Sequence, residues 1–200
     1  MIVNVILYLI VIKDKTITFK VFTVYLVLML IIHLYSSYLA NLGQNNLFLS
    51  HYYFLIQYLL LSFFYYKSFE KKIIKKSILH VSIIVIGINS FYYIYNPSIY
   101  FKFNLVEIIT SSIPLIIFNI LYLFNSLINN KDYFYINSGI FIYLISSTLF
   151  FVSGNYLTLL NREIVNVIWK ANSIIYIIYQ LLIILEWYFN FRKSNNYERA

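Results

Sequence analysis

A few ionisable side chains lie inside long apolar stretches of this 200-residue sequence, where they could do chemistry. Glu107 and Lys170 are the natural candidates for an ion pair, and such a pair could bind a zwitterion or relay a proton. The alternatives are a purely structural pair, or a Lys170 ammonium group that extends to a polar interface. His33 and His51 with one carboxylate could in principle hold a metal ion. The spacing that marks metal sites is missing, so we expect no metal.

Recognisable catalytic motifs are missing from the sequence. It contains no metalloprotease, serine hydrolase, phosphate-binding or dinucleotide-binding pattern, and it has no cysteine. Glu107 and Glu186 are the acidic residues inside apolar stretches, and they belong to opposite ends of the expected fold. They therefore cannot act together as a carboxylate pair. We expect no catalytic residues, no cofactor and no enzymatic activity.

The composition identifies the class of protein. Hydrophobic residues make up 62% of the chain and charged residues 11%, with a mean hydropathy of +0.77. Soluble domains carry about 25% charged residues, so this chain has too few charges to cover a surface that faces water. The high apolar content also excludes a disordered chain. We expect an all-α, polytopic transmembrane helix bundle.

Six stretches reach the roughly 20 residues that a helix needs to cross a bilayer. They are Thr18–Ala40, Phe48–Lys67, Ser77–Asn96, Asn104–Leu127, Phe134–Leu159 and Ile164–Phe189. Met1–Ile12 is apolar but would extend only about 18 Å as a helix. It therefore predicts a short or truncated seventh span at the N-terminus, with a helix that lies at the membrane interface as the alternative. The connections are short, so residues 1–200 are expected to form a single helix-bundle domain.

The basic residues indicate the orientation, because Lys and Arg are retained on the cytoplasmic side of a membrane. Successive connections between spans face opposite sides of the membrane. All Lys and Arg residues except Lys102, Arg162 and Lys170 belong to the ends and connections on one of these two sides. This bias predicts a cytoplasmic C-terminus and a cytoplasmic loop around residues 67–76. The loop is expected to contact anionic lipid or a partner. Its contact residues would be Lys71, Lys72, Lys75 and Lys76.

With this orientation, polar side chains concentrate in the outer half of the bundle. Polar residues inside spans usually face the bundle interior or mark a pathway. We therefore expect one outward-facing polar cluster, although hydrogen bonds between helices are the alternative role for its Asn and Ser residues. The candidate residues are His33, His51, Gln57, Glu107, Ser111, Asn155, Lys170 and Asn172.

Small residues recur every seven positions in the predicted span Phe134–Leu159. They are Gly139, Ser146 and Ser153, and Gly154 follows directly. A stripe of small residues lets two helices approach closely. We interpret this stripe as a packing surface.

Several short motifs occur in order along the chain. They are His33-Leu-Tyr-Ser-Ser37, His51-Tyr-Tyr-Phe-Leu-Ile-Gln57, Val106-Glu107, residues 134–143, Val152-Ser-Gly-Asn155 and residues 169–176. This order resembles a group of uncharacterised bacterial seven-helix membrane proteins of similar length, which have an acidic residue where this chain has Gln57. Genes of that group often lie near sensor-kinase genes. The resemblance therefore implies a sensing or accessory role in the bacterial inner membrane, with a membrane-bound kinase or other membrane protein as partner.

These observations predict a non-enzymatic sensory or accessory subunit that acts through a membrane partner, because its connections are too short to signal alone. The basic residues flank spans and do not form a face, so no nucleic-acid partner is expected. The alternative is a small-solute transporter, with the segments around Gln57 and Gln180 as a weak internal repeat. An enzyme acting inside the membrane is the third alternative.

Overall fold

The computed structural model describes residues 1–129, 132–157 and 161–192, without the side chains of 129 and 154–157. Within these ranges the chain is all α-helical and contains no strand. The helices are α1 (Ile2–Ile10), α2 (Ile17–Asn41), α3 (Phe48–Ser68), α4 (Lys72–Tyr95), α5 (Leu105–Asn129), α6 (Phe134–Leu157) and α7 (Arg162–Glu186). A 3-10 turn at Pro97–Phe101 precedes α5, and a π-helical turn at Trp187–Phe191 extends α7.

Helices α2, α4, α5, α6 and α7 are long and apolar enough to cross a membrane. The chain is therefore a multi-pass membrane protein, as its composition predicts. Helix α3 has 21 residues and is long enough, but its polar and tyrosine side chains make it less apolar. Helix α1 has 9 residues and extends about 14 Å, which is well short of a bilayer core of about 30 Å.

The predicted basic loop around residues 67–76 lies partly inside helix α4. Lys72, Lys75 and Lys76 lie in the first turns of α4, and Lys71 is its N-cap residue. Lysine favours helices, and its long stem can lie along apolar surface while the ammonium group stays outside. The Lys75 ammonium group lies 5.5 Å from the centre of the Tyr66 ring, which holds this lysine against α3.

Contacts between the helices show that α2 to α7 alternate in direction. The Asn46 side chain before α3 bonds to Ser36 near the end of α2, and the Tyr122 hydroxyl near the end of α5 bonds to the Asp132 carbonyl before α6. One end of the bundle is thus formed where α2, α4 and α6 finish and where α3, α5 and α7 begin. We call it the His51 end, and we call the opposite end the Glu186 end.

Helix α3 lies at the centre of the bundle and packs against α2, α4 and α5. Aromatic rings fill much of the core around it, and the rings of Phe22, Phe64 and Tyr65 are completely buried. Buried aromatic pairs add packing energy beyond the area that they bury. Helix α4 is peripheral, and its buried residues are Ile78 and Val85.

Gly139 lies where α6 approaches α7. A Cβ atom at this position would lie 2.8 Å from Cδ2 of Tyr179 and 3.3 Å from Cβ of Leu182. Ser146 on the same predicted stripe is half-buried and Ser153 is exposed. Beyond its place in α6, Gly154 lies outside the described part of the chain. The close approach of the two helices therefore depends on Gly139.

Gly139→Val is expected to lower the free energy of unfolding by about 1–3 kcal/mol, because the new side chain overpacks the α6–α7 contact. Gly87→Val in α4 is the matched control, since a Cβ there meets nothing within 4 Å. Both changes alter helix propensity equally, so their difference reports packing alone. Thermal unfolding in detergent, followed by circular dichroism, measures both. Equal effects of the two substitutions would contradict a close contact at Gly139.

Candidate functional site

The residues predicted to form one polar cluster occupy separate places in the structure. His51 and Glu107 pair on the side of α3 that faces α4 and α5. His33 and Asn172 line a cavity on the other side of α3. Gln57 lies deeper, in a network of tyrosine hydroxyl groups. The side chain of Asn155 lies outside the described residues.

The first group is a buried hydrogen-bonded cluster at the His51 end. The side chain of Asn104 accepts from the backbone N–H groups of Val106 and Glu107, so it caps α5 and fixes its first turn. The Glu107 side chain, 4% exposed, reaches α3 in this geometry. Its Oε2 lies 2.6 Å from Nδ1 of His51, and the Tyr93 hydroxyl donates to the same oxygen at 2.6 Å.

The hydrogen bonds of His51 determine where its protons lie. Nε2 of His51 is 3.0 Å from the carbonyl oxygen of Tyr100, which can only accept, so Nε2 carries a proton. A further proton lies between Nδ1 of His51 and Oε2 of Glu107, on one atom or the other. The cluster therefore ties α3, α4, α5 and the turn at Pro97–Phe101 together, and Nδ2 of Asn104 within it is buried without a partner.

The predicted ion pair between Glu107 and Lys170 is not formed. Lys170 is exposed on α7, and the buried side chain of Glu107 is hydrogen-bonded to His51 instead. The physical reason is the lateral order of the helices, because α6 packs against both α5 and α7 and lies between them. Within the described ranges, no three His, Asp or Glu side chains come close enough to hold a metal ion.

Ser111 is buried one turn after Glu107, and its hydroxyl group bonds to the helix backbone and not to the side chain of another candidate residue. Its hydroxyl group donates to the carbonyl oxygen of Glu107 at 2.6 Å within α5. This hydrogen bond therefore stays within α5. A serine that bonds to its own helix backbone is satisfied without any ligand.

The second group surrounds a cavity of about 670 Å³ between α2, α3, α6 and α7. The cavity lies in the half of the bundle next to the His51 end and is not enclosed. Its wall is mainly aromatic and aliphatic, and the described lining residues include no Asp, Glu, Lys or Arg. The polar residues of the wall are His33, Ser36, Asn46, Ser50, Asn172 and Ser173.

Most of these polar side chains already have hydrogen-bond partners. The hydroxyl groups of Ser50 and Ser173 donate to carbonyl oxygens of their own chain segments, and Asn46 donates to Ser36. By contrast, Nε2 of His33 and Oδ1 of Asn172 are buried without a partner among the described residues. Both atoms are themselves closed off from the open space of the cavity, and further unpaired buried atoms, among them Nδ2 of Asn104, lie elsewhere in the bundle, so these two atoms do not mark a ligand.

The third group forms the floor beneath the cavity. The hydroxyl groups of Tyr53 and Tyr143 lie 3.0 Å apart, and Nε2 of Gln57 donates to Tyr53 at 3.2 Å. Gln57 also reaches the hydroxyl of Tyr25, which accepts from Tyr179. Sequence reasoning did not identify these tyrosines as members of a polar network. The available signal was the position of Tyr25 and Tyr53 within apolar stretches.

A further polar contact closes the bundle at the Glu186 end. Oε1 of Glu186 accepts from the backbone N–H of Tyr133 at 2.7 Å, and Oε2 accepts from Tyr135 at 2.8 Å and from Ile136 at 3.3 Å. The side chain of Asn190 also donates to Glu186. Glu186 is completely buried and thus caps α6 from α7. Its carboxylate oxygens therefore stabilise the start of α6.

Comparisons with known protein families, curated proteins and solved structures found no match. The choice of a candidate functional site among the three groups of polar residues therefore rests on the chemistry of the groups themselves. The His51–Glu107 cluster and the tyrosine floor use most of their polar atoms in internal hydrogen bonds. The cavity offers open volume beside a wall of aromatic, aliphatic and polar side chains, and it is the candidate functional site.

Proposed function

We propose that this protein is a non-enzymatic inner-membrane protein, a sensory or accessory subunit that binds a small molecule in its cavity and acts through a membrane partner. The observation that supports this proposal is the cavity of about 670 Å³ between α2, α3, α6 and α7, whose mainly apolar wall also carries polar side chains. Small-molecule sites are mostly apolar clefts of roughly this size with a few convergent polar groups.

The proposed topology has six full spans and a short α1. Helix α3 is included because α2, α4 and α5 pack around it, so its polar side chains face protein and not lipid. The His51 end is proposed to face outward, because the basic residues at the start of α4 lie at the Glu186 end. The C-terminus is then cytoplasmic, and the cavity lies in the outer half of the bundle.

A partner is part of the proposal because the described connections between helices are short. The segment between α3 and α4 has only three residues, 69–71, and leaves no room for a signalling domain. Lys71, Lys72 and Lys76 are exposed there. Such a group of positive charges fits an acidic surface of a membrane-bound kinase or another membrane protein, or anionic lipid headgroups.

Purification of the tagged protein from native membranes in mild detergent, with mass spectrometry, tests the proposal. We expect a stoichiometric membrane partner with the unaltered chain. The double substitution Lys72→Glu and Lys76→Glu should lower the yield of that partner several-fold, because charge reversal repels an acidic surface. Lys102→Glu, at the other end of the bundle, is the control and should leave the yield unchanged. A chain that purifies alone, or a partner insensitive to the lysines, would argue against the proposal.

A small-solute transporter is the second candidate, because a partly open cavity above a hydrogen-bonded floor is also what an outward-facing carrier presents. Proteoliposomes that contain the purified protein distinguish the two functions. A sensory subunit gives tight vesicles without solute flux. Solute uptake that is lost with Asn172→Leu would favour transport.

A further inference from the structure

The opening of the cavity lies inside the membrane. Among the described residues that line the cavity, the exposed ones are Ser173 and Ile177, both on α7. They lie about 17 Å and 23 Å along α7 from its first residue, well within this apolar span. Ile174 beside them is 59% exposed, so the surface around the opening is apolar. A molecule that enters here therefore comes from the hydrocarbon of the bilayer, which consists of lipid chains.

The wall of the cavity suits an alkyl chain. It is mainly apolar, and the hydroxyl groups of Ser50 and Ser173 and the side-chain N–H group of Asn46 are bonded within the protein. The unpaired atoms of His33 and Asn172 are closed off from the open space. These polar groups of the wall therefore need no partner from a ligand. An alkyl chain has no hydrogen-bonding groups, so it fills such a space without leaving a polar group of its own unpaired.

Positive charge lies near the cavity but not in its wall. Met1 lines a second, narrow pocket next to the cavity, and its amino group acts electrostatically on His33 from that side. Neither Met1 nor any Asp, Glu, Lys or Arg residue is among the described residues that line the cavity itself. The buried carboxylate of Glu107 bonds to His51 on the other side of α3. An uncharged chain inside the cavity is compatible with these charges, whereas a cation would be repelled by the Met1 amino group.

Lys170 lies next to the opening. It is exposed and precedes Ser173 and Ile177 by three and seven residues, so the three residues share one face of α7. Its long stem can lie along the helix towards the His51 end, where lipid headgroups lie. An ammonium group at that level attracts anionic phosphate. We infer that the cavity binds an acyl chain of an anionic phospholipid whose phosphate group pairs with Lys170, an inference that rests on the proposed role of the cavity as a ligand site.

The two tryptophans of the chain give a direct test. Trp169 lines the cavity, whereas Trp187 follows α7 at the Glu186 end, so the variant Trp187→Phe keeps a single fluorescent reporter in the cavity wall. Bromine atoms on a lipid chain quench tryptophan on contact. The probes are dibromostearoyl phosphatidylglycerol, which is anionic, and dibromostearoyl phosphatidylcholine, which is zwitterionic, each added to the protein in mild detergent. We expect saturable quenching by the anionic lipid and roughly tenfold weaker binding of the zwitterionic one.

A charge reversal tests the headgroup contact. In the Trp187→Phe background, Lys170→Glu should weaken binding of the anionic lipid by roughly tenfold, because the new carboxylate repels the phosphate. Lys102→Glu is the matched control, since Lys102 is also exposed at the His51 end and should leave binding unchanged. Soluble glycerol phosphate in excess should not reverse the quenching, because it has no chain to occupy the cavity.

A bulky side chain at the opening tests the chain contact. Ser173→Phe should weaken binding of both lipids several-fold, because its ring obstructs the entry of the chain. Ser77→Phe in α4 is the matched control and should leave binding unchanged. Ser77 is exposed like Ser173, and both hydroxyl groups donate to the carbonyl oxygen four residues earlier in their own helix. Both serines are exposed, so neither substitution disturbs the core.

The outcomes separate this inference from the proposed function. Equal binding of the two lipids, binding unaffected by Ser173→Phe, or reversal by glycerol phosphate overturns the inferred ligand. Failure of both probes in a protein that still recovers its lysine-dependent partner also overturns it, but leaves the proposed function standing. Binding as expected in a protein without such a partner supports the lipid ligand and overturns the proposed sensory role.

Discussion

Replacing Glu107 by alanine lowers the expected free energy of unfolding by about 3–5 kcal/mol, the typical cost of removing one member of a buried charged pair. The loss leaves the His51 imidazole group buried without its 2.6 Å partner and deprives the Tyr93 hydroxyl of its acceptor. Three helices and the turn before α5 meet at this carboxylate, so the effect is not confined to one contact. Reversible unfolding in mixed detergent–SDS micelles, followed by circular dichroism, measures the change.

Lys170→Ala is the control, because it distinguishes the observed contact between Glu107 and His51 from the predicted pair of Glu107 and Lys170. Lys170 is exposed, and replacing it should change the free energy of unfolding by less than about 0.5 kcal/mol. A double-mutant cycle with His51→Ala and Glu107→Ala should show strong coupling, because each residue loses the same interaction. Additive effects of those two substitutions, or a large effect of Lys170→Ala, would contradict the pairing.

Glu186→Ala is expected to lower the free energy of unfolding by about 3 kcal/mol, because it leaves three backbone N–H groups at the start of α6 without an acceptor. These groups belong to Tyr133, Tyr135 and Ile136, and they donate to the carboxylate of Glu186. Glu186 is completely buried. Membrane interiors offer no water to replace the lost acceptor. Hydrogen exchange of the Tyr135 and Ile136 amides should accelerate together with the loss of stability, and it gives a local measurement.

Glu186→Gln keeps the size of the side chain and one acceptor oxygen, so we expect an intermediate loss of stability. Glu163 is also acidic but exposed in the first turn of α7. Glu163→Ala should therefore change stability by less than about 0.5 kcal/mol. If Glu186→Ala leaves the exchange of the first α6 amides unchanged, the carboxylate does not cap that helix.

The positions of the helices could be predicted closely from the apolar runs. The span predicted at Phe48–Lys67 is helix α3 at Phe48–Ser68, and the one predicted at Asn104–Leu127 is α5 at Leu105–Asn129. Helix α4 starts earlier than its predicted span because its first turns are built from lysines. Hydropathy treats lysine as the end of a span, but lysine is a good helix former.

The neighbours of each side chain could not be predicted in the same way. Apolar runs and charges indicate how deep a residue lies, and Glu107 and Lys170 do belong to the same half of the bundle. They do not indicate which helices are adjacent, and α6 lies between the two that carry this pair. Tyrosines present the same difficulty, because a ring with a hydroxyl suits both a membrane interface and a buried network. Tyr53 and Tyr93 were therefore not recognised as members of the polar groups.

Helix α4 is attached to the bundle along one side only. It is fastened near its middle by the hydrogen bond from Tyr58 to Ser82 and towards its far end by Asn89 to Thr110 and by Tyr93 to Glu107. Its outer face, with Ile83 69% exposed and Ile94 75% exposed, is left for lipid to cover. The polar side chains of α4 thus do the work of attachment that apolar packing does for the central helices, and the apolar residues of α4 form the outer surface of the bundle.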